Sequence, residues 1–175
     1  MLRSWYLFFF SLCILLCSCA ERSFISKAAK DQDIIVYGSV NDYSSGDPLD
    51  GTFKVQKNGE DLFQGEVSKG KYAHFLDLDQ SYRIEFIKEG HISKYVTIDT
   101  HNVPLDDRKE AFSMVIDISL MRPIEGVDYS FFDHNAVGKA SYVSNVGNML
   151  WDIEYGRFAE KKMLEITTAH DKAAK

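Results

Sequence analysis

The sequence predicts an all-β protein, a Greek-key β-sandwich of about seven strands followed by a C-terminal hairpin and one amphipathic helix. Two observations carry that expectation. From Asp33 to Thr100 the chain is a succession of short β-rich runs in which apolar and polar residues alternate, with no competing helical period. Each run ends in Gly, Asn, Asp or Pro, so turn signals recur about every 8 to 12 residues. A third observation bounds the size: 175 residues, 45% hydrophobic and 13% aromatic, suffice for one globular domain with a real core.

In chain order, Ile34, Val36, Gly38 and Val40 fall on one face of a first strand, with Ile35, Tyr37 and Ser39 on the other, so this strand is largely buried. Asn41 to Gly51 is a dense turn cluster around Gly46 and Pro48. Thr52 to Lys57 points Phe53 and Val55 inward, and Asn58-Gly59 predicts a type I′ hairpin into a return strand from Asp61 to Val67. Ser68-Lys69-Gly70 turns the chain into Lys71 to Leu78. The clearest period of two follows, with Tyr82, Ile84 and Phe86 in and Arg83 and Glu85 out. Lys94 to Thr100 and Phe112 to Leu120 complete the set; the last carries Met114, Ile116, Ile118 and Leu120 on one side.

These elements are punctuated by a recognisable order of residues: Gly38, Val40 and Asp42; then Ser45, Gly46, Pro48, Leu49 and Gly51; then Gly70, Tyr72 and Leu76; then Tyr82 and Ile84; then Lys88, Glu89 and Gly90. The order resembles the carboxypeptidase regulatory-like module, a transthyretin-like (prealbumin-like) sandwich. The resemblance covers roughly the first half of the chain beyond its leader and implies a non-catalytic β domain. His74 and His91 depart from the pattern, standing where the module usually has an aromatic or aliphatic residue and a tyrosine.

Beyond the module, Arg122 to Val137 places Tyr129, Phe131 and Phe132 where they would plug an opening in the sandwich. Lys139 to Ser144 and Met149 to Ile153 are expected to pair across Asn145 to Asn148. Trp151 is expected to be a buried anchor, with an exposed partner contact as the alternative. Tyr155, Phe158, Ala159, Met163 and Ile166 form one stripe of a helix lying on the sheet, with fraying from Ala169 to Lys175.

The N-terminus supplies an address. A short basic start (Arg3) leads into an apolar run from Trp5 to Leu16, too short to span a bilayer and of the length of an export signal. Leu16-Cys17-Ser18-Cys19 resembles the lipobox of bacterial lipoproteins, with Cys19 as the lipidation site, since cleavage before Cys17 would follow the bulky Leu16. Cys13 and Cys17 would leave with the leader, and Cys19 would be consumed as a thioether. The mature chain would hold no free thiol, and its charge would move from -6 to -7 with the loss of Arg3. The division expected is residues 1–18 signal, 19–32 tether, 33–121 sandwich and 122–175 extension. The tether has an extended limit of roughly 45 Å and an average span nearer 20 Å. Ala20 after the cysteine implies, by the same resemblance, the outer membrane.

Chemistry is sparse. No Lys/Arg cluster forms a basic stripe, so no nucleic-acid partner is expected. The Tyr-Arg-Gly-Ser ending of hydroxyisourate hydrolase, a transthyretin-like enzyme, is absent, as are a nucleophile elbow, a phosphate loop and an HExxH motif. Asp77 with Asp79, Asp106 with Asp107, and Asn41, Asp42 and Asp47 crowd turns without the spacing of a Ca²⁺ loop, so no metal and no cofactor are expected. Tyr43, Tyr95 and Tyr129 are the residues through which a carbohydrate-binding alternative would act. A hydrolytic alternative would need His74, His91 or His101 to converge with acids in a pocket. The leading expectation is a lipid-anchored envelope protein that binds or scaffolds a protein partner without catalysis.

Overall fold

The computed structural model describes residues 34–109 and 111–175; the leader, Cys19 and the tether lie outside the described residues. Its strands are β1(Ile34–Asp42), β2(Gly51–Lys57), β3(Glu60–Val67), β4(Lys71–Leu76), β5(Ser81–Ile87), β6(Lys94–Asp99), β7(Phe112–Val115), β8(Ile118–Leu120), β9(Gly138–Val143) and β10(Asn148–Trp151). They build the predicted two-layer sandwich. One sheet runs β4-β1-β7, with β8 following β7 along the same edge of β1; the other runs β10-β9-β6-β5-β2-β3.

The period of two sets the layers. Tyr82, Ile84 and Phe86 are 3%, 0% and 0% exposed and face Val36, Tyr72, Leu76 and Leu120 within the same apolar core. Burying a side chain such as Phe86 or Ile84 contributes about 2 to 3 kcal/mol. Asn58 and Gly59 both take positive φ (53° and 86°), as a type I′ turn demands, and the turn fixes the β2–β3 register.

Three features differ from the sequence reading. The expected strand from Phe112 to Leu120 is two strands, because Ile116 and Asp117 step out of the ladder. Ile116 donates its N–H to the Tyr37 carbonyl, and Asp117 accepts the Ser39 N–H (2.9 Å) and hydroxyl (2.6 Å). The step keeps Met114, Ile116, Ile118 and Leu120 all buried, so the alternation survives the break. It requires Gly38: a Cβ there would lie 2.1 Å from the Ile116 carbonyl oxygen. The same oxygen accepts the Tyr72 hydroxyl at 2.7 Å.

The second difference is direction. β1 pairs parallel with β7 and β8, and β6 pairs parallel with β9, among otherwise antiparallel neighbours. The C-terminal hairpin thereby extends the second sheet.

The third is the helix, which spans Ile153–Ala173, starting earlier and ending later than its apolar stripe suggests. Asp152 caps it by accepting the Tyr155 N–H at 2.9 Å. Ala159 and His170 are its buried residues, and Phe158, expected on the packed stripe, is 48% exposed. Among the described residues no helix is long and apolar enough to cross a membrane.

Candidate functional site

Two regions bring polar side chains together. The first is the end of the sandwich where β1 finishes. The register sets Ile34 against Leu76 and Phe112, and Asp42 against Leu120, so Asp42 lies about 26 Å along β1 from Ile34. Its carboxylate accepts the Ser44 and Ser45 N–H groups at 2.9 and 3.1 Å, pinning the turn that follows. His91 Nε2 sits 3.2 Å from the other carboxylate oxygen and Arg122 Nε 3.7 Å from it. The Ser45 N–H outweighs burial here and, with His91, Ser44 and Arg122, holds Asp42 below the usual carboxylate range.

The helix docks on the same end. Buried His170 donates its Nε2–H to the Arg122 carbonyl at 3.2 Å and meets the Tyr43 and Tyr129 rings edge-on. The Tyr43 hydroxyl donates to Asp171. Nearby Lys94 is 7% exposed; it donates to the Ser119 carbonyl at 2.6 Å and stands 4.9 Å from the Phe132 ring centre. Burial lowers it to about 8.

The histidines singled out from the sequence are not brought together. His74 lies on β4, stacked on Phe63 at 4.6 Å, and burial lowers its pKa. His91 belongs to Asp42. His101 follows β6 and faces Asp99 at 2.6 Å. The three tyrosines are packing groups: Tyr43 and Tyr129 hold His170, and Tyr95 is buried beneath the Arg83 guanidinium at 3.3 Å. Of the turn acids, Asp79 makes a two-pronged pair with Arg108 and Asp107 accepts the Tyr142 hydroxyl. Among the described residues no group of three His, Cys, Asp or Glu side chains is placed to hold a metal ion.

The second region is a cleft of about 270 Å³ where the β7–β8 edge of one sheet faces β6 and β9 of the other. Val96, Ile116 and Val137 form apolar wall; Asp117, Lys139, Trp151 and Asp152 bring polar and aromatic groups to it. Trp151 is 38% exposed, against the expectation of a buried anchor. Its six-membered ring lies on the bare backbone of Gly138, 3.0 Å from where a Cβ would stand. Sequence reasoning missed this because nothing local tells Trp151 that Gly138 is its neighbour. His170 had a usable signal: four residues after Ile166, it continues the helix stripe.

No protein-family profile matches the chain, and no curated protein resembles it significantly. Solved structures overlap it partially. One is a candidate membrane-associated protein of unknown function from Bacteroides fragilis, with 11% identity and a TM-score of 0.37 over 54% of this chain and 30% of that one. Another is a 3-chlorocatechol 1,2-dioxygenase from Rhodococcus opacus, with 13% identity and a TM-score of 0.35 over 52% and 60%. A third is a candidate carbohydrate-binding protein from Bacteroides uniformis, with 17% identity and a TM-score of 0.36 over 55% and 46%. Each overlap spans less than two thirds of the other protein, and none assigns an activity to this chain.

Proposed function

We propose that this chain is a lipoprotein of the bacterial envelope whose sandwich, of the carboxypeptidase regulatory-like kind, acts as a non-catalytic binding module. The observation that supports binding is the open cleft at Trp151, set on a rigid two-sheet frame. Away from it, at the Asp42 end, the histidines serve the fold: His91 secures the Asp42 turn and His170 fastens the helix. Anchoring rests on the Leu16-Cys17-Ser18-Cys19 motif, with acyl chains on Cys19 and a short tether holding the domain close to the outer membrane.

Labelled palmitate supplied to cells producing the wild type or Cys19→Ala tests the anchor. Label on the wild type and none on the variant is expected; label on neither removes the anchor. Retention of one discrete envelope partner by the solubilised full chain, weakened by Trp151→Ala, is expected of the binding module. Equal retention by both proteins moves the binding surface away from the cleft.

A further inference from the structure

The cleft itself indicates a class of ligand. We propose that it holds a single neutral sugar ring, stacked on Trp151 and hydrogen-bonded by Asp117 and Asp152; this rests on the binding-module reading and deepens it. Trp151 carries the apolar part of the recognition. Its indole packs on Gly138 and remains 38% exposed, so it offers a fixed flat surface at little conformational cost. The negative face of an aromatic ring attracts the weakly positive C–H bonds lining one face of a pyranose.

The two carboxylates carry the polar part, and both are already held in place. Asp117 spends Oδ1 on the Ser39 N–H and hydroxyl, and Asp152 spends Oδ1 on the Tyr155 N–H. Among the described residues neither Oδ2 has a protein partner, so each is available to accept a hydroxyl. Such charge-assisted bonds are the strong ones. Lys139, whose ammonium lies 4.1 Å from the centre of the Tyr155 ring, also lines the cleft and adds a donor. The two carboxylates work against an anionic guest, and Lys139 offsets one of their charges, which lowers the pull on a cationic one. A volume of about 270 Å³ lies just below the usual range for ligand sites and suits one ring rather than an extended chain.

The test is titration of the detergent-solubilised protein with Trp151 as fluorescent reporter; without residues 1–18 it is the sole tryptophan, and Trp5→Phe silences the other where the leader is kept. The probes are glucose, galactose, mannose and N-acetylglucosamine, with choline and acetate as charged comparators. A saturable shift with at least one sugar and none with choline or acetate is expected. Asp117→Asn and Asp152→Asn should each weaken binding about tenfold or more. In Gly138→Val, which dislodges the indole, binding followed by calorimetry should be lost while circular dichroism keeps its β signature. A response to choline but to no sugar, or sugar affinity unchanged in Gly138→Val, overturns the proposal. Silence toward every sugar, with an envelope partner still retained through Trp151, overturns the sugar and leaves the binding module standing.

Discussion

The Asp42 end and the Trp151 cleft make opposite uses of similar residue types. At the Asp42 end a buried acid, two histidines, an arginine and a lysine converge, and each has its partner within the protein: Ser44, Ser45, the Arg122 carbonyl, the Ser119 carbonyl. In the cleft, two acids each keep one oxygen turned away from protein partners, beside an indole that is only partly covered. Density of titratable groups therefore marks architecture in this molecule. Incomplete satisfaction around a concavity is what distinguishes the surface proposed to bind.

The sharpest way to break this contrast is through the frame both regions share. Gly38→Ala drives a Cβ into the Ile116 carbonyl, backbone that cannot swing aside, and should cost at least about 3 kcal/mol. Denaturant titration would show a lowered midpoint, and the cleft wall formed by Ile116 and Asp117 would shift with it. Asp42→Ala is expected to cost about 2 kcal/mol by stripping acceptors from Ser44, Ser45 and His91, while sugar binding at the cleft stays unchanged. Loss of cleft binding in that variant would merge the two regions into one.

Lys94→Met sharpens the contrast by pH. The folded protein binds fewer protons at Lys94 than the unfolded chain between pH 8 and 10.5, so this lysine makes stability climb across that window. The full depression corresponds to about 3 kcal/mol, offset in part by its bond to Ser119. Lys94→Met should match or exceed the wild type at pH 7 and lose that advantage by pH 10.5, as thermal unfolding across the range would show. The smallest effect is expected at His74. Its pKa is lowered by burial, so the unfolded chain takes the proton first and stability falls as pH drops below about 6.5. His74→Phe should flatten that decline while keeping the stack on Phe63.

The layers were legible because a period of two is local: Phe53, Val55, Tyr82, Ile84 and Phe86 are all in the core, and Asn58-Gly59 turns as its chemistry requires. What could not be read was set by distant neighbours. The step at Ile116 depends on Gly38 and Ser39, far back in the chain, and the parallel pairing of β6 with β9 leaves no trace in either strand's own pattern. The same limit governs the candidate site. Three tyrosines and three histidines attracted notice by type, whereas Asp117, Lys139 and Trp151 become a site only once two sheet edges are set face to face.

The step at Ile116 also has a kinetic side. Ser39 meets Asp117 across 78 residues, and β1, the earliest of the described strands to be synthesised, gains its parallel neighbours only after β2 to β6 have been made. Closure of that sheet is a non-local event with a large loop entropy, which places folding in the slow regime of β-rich topologies. Until Phe112 to Leu120 arrive, the hydrogen-bonding rim of β1 stays open to any passing strand, so a chain truncated before residue 112 should aggregate rather than settle into a smaller fold.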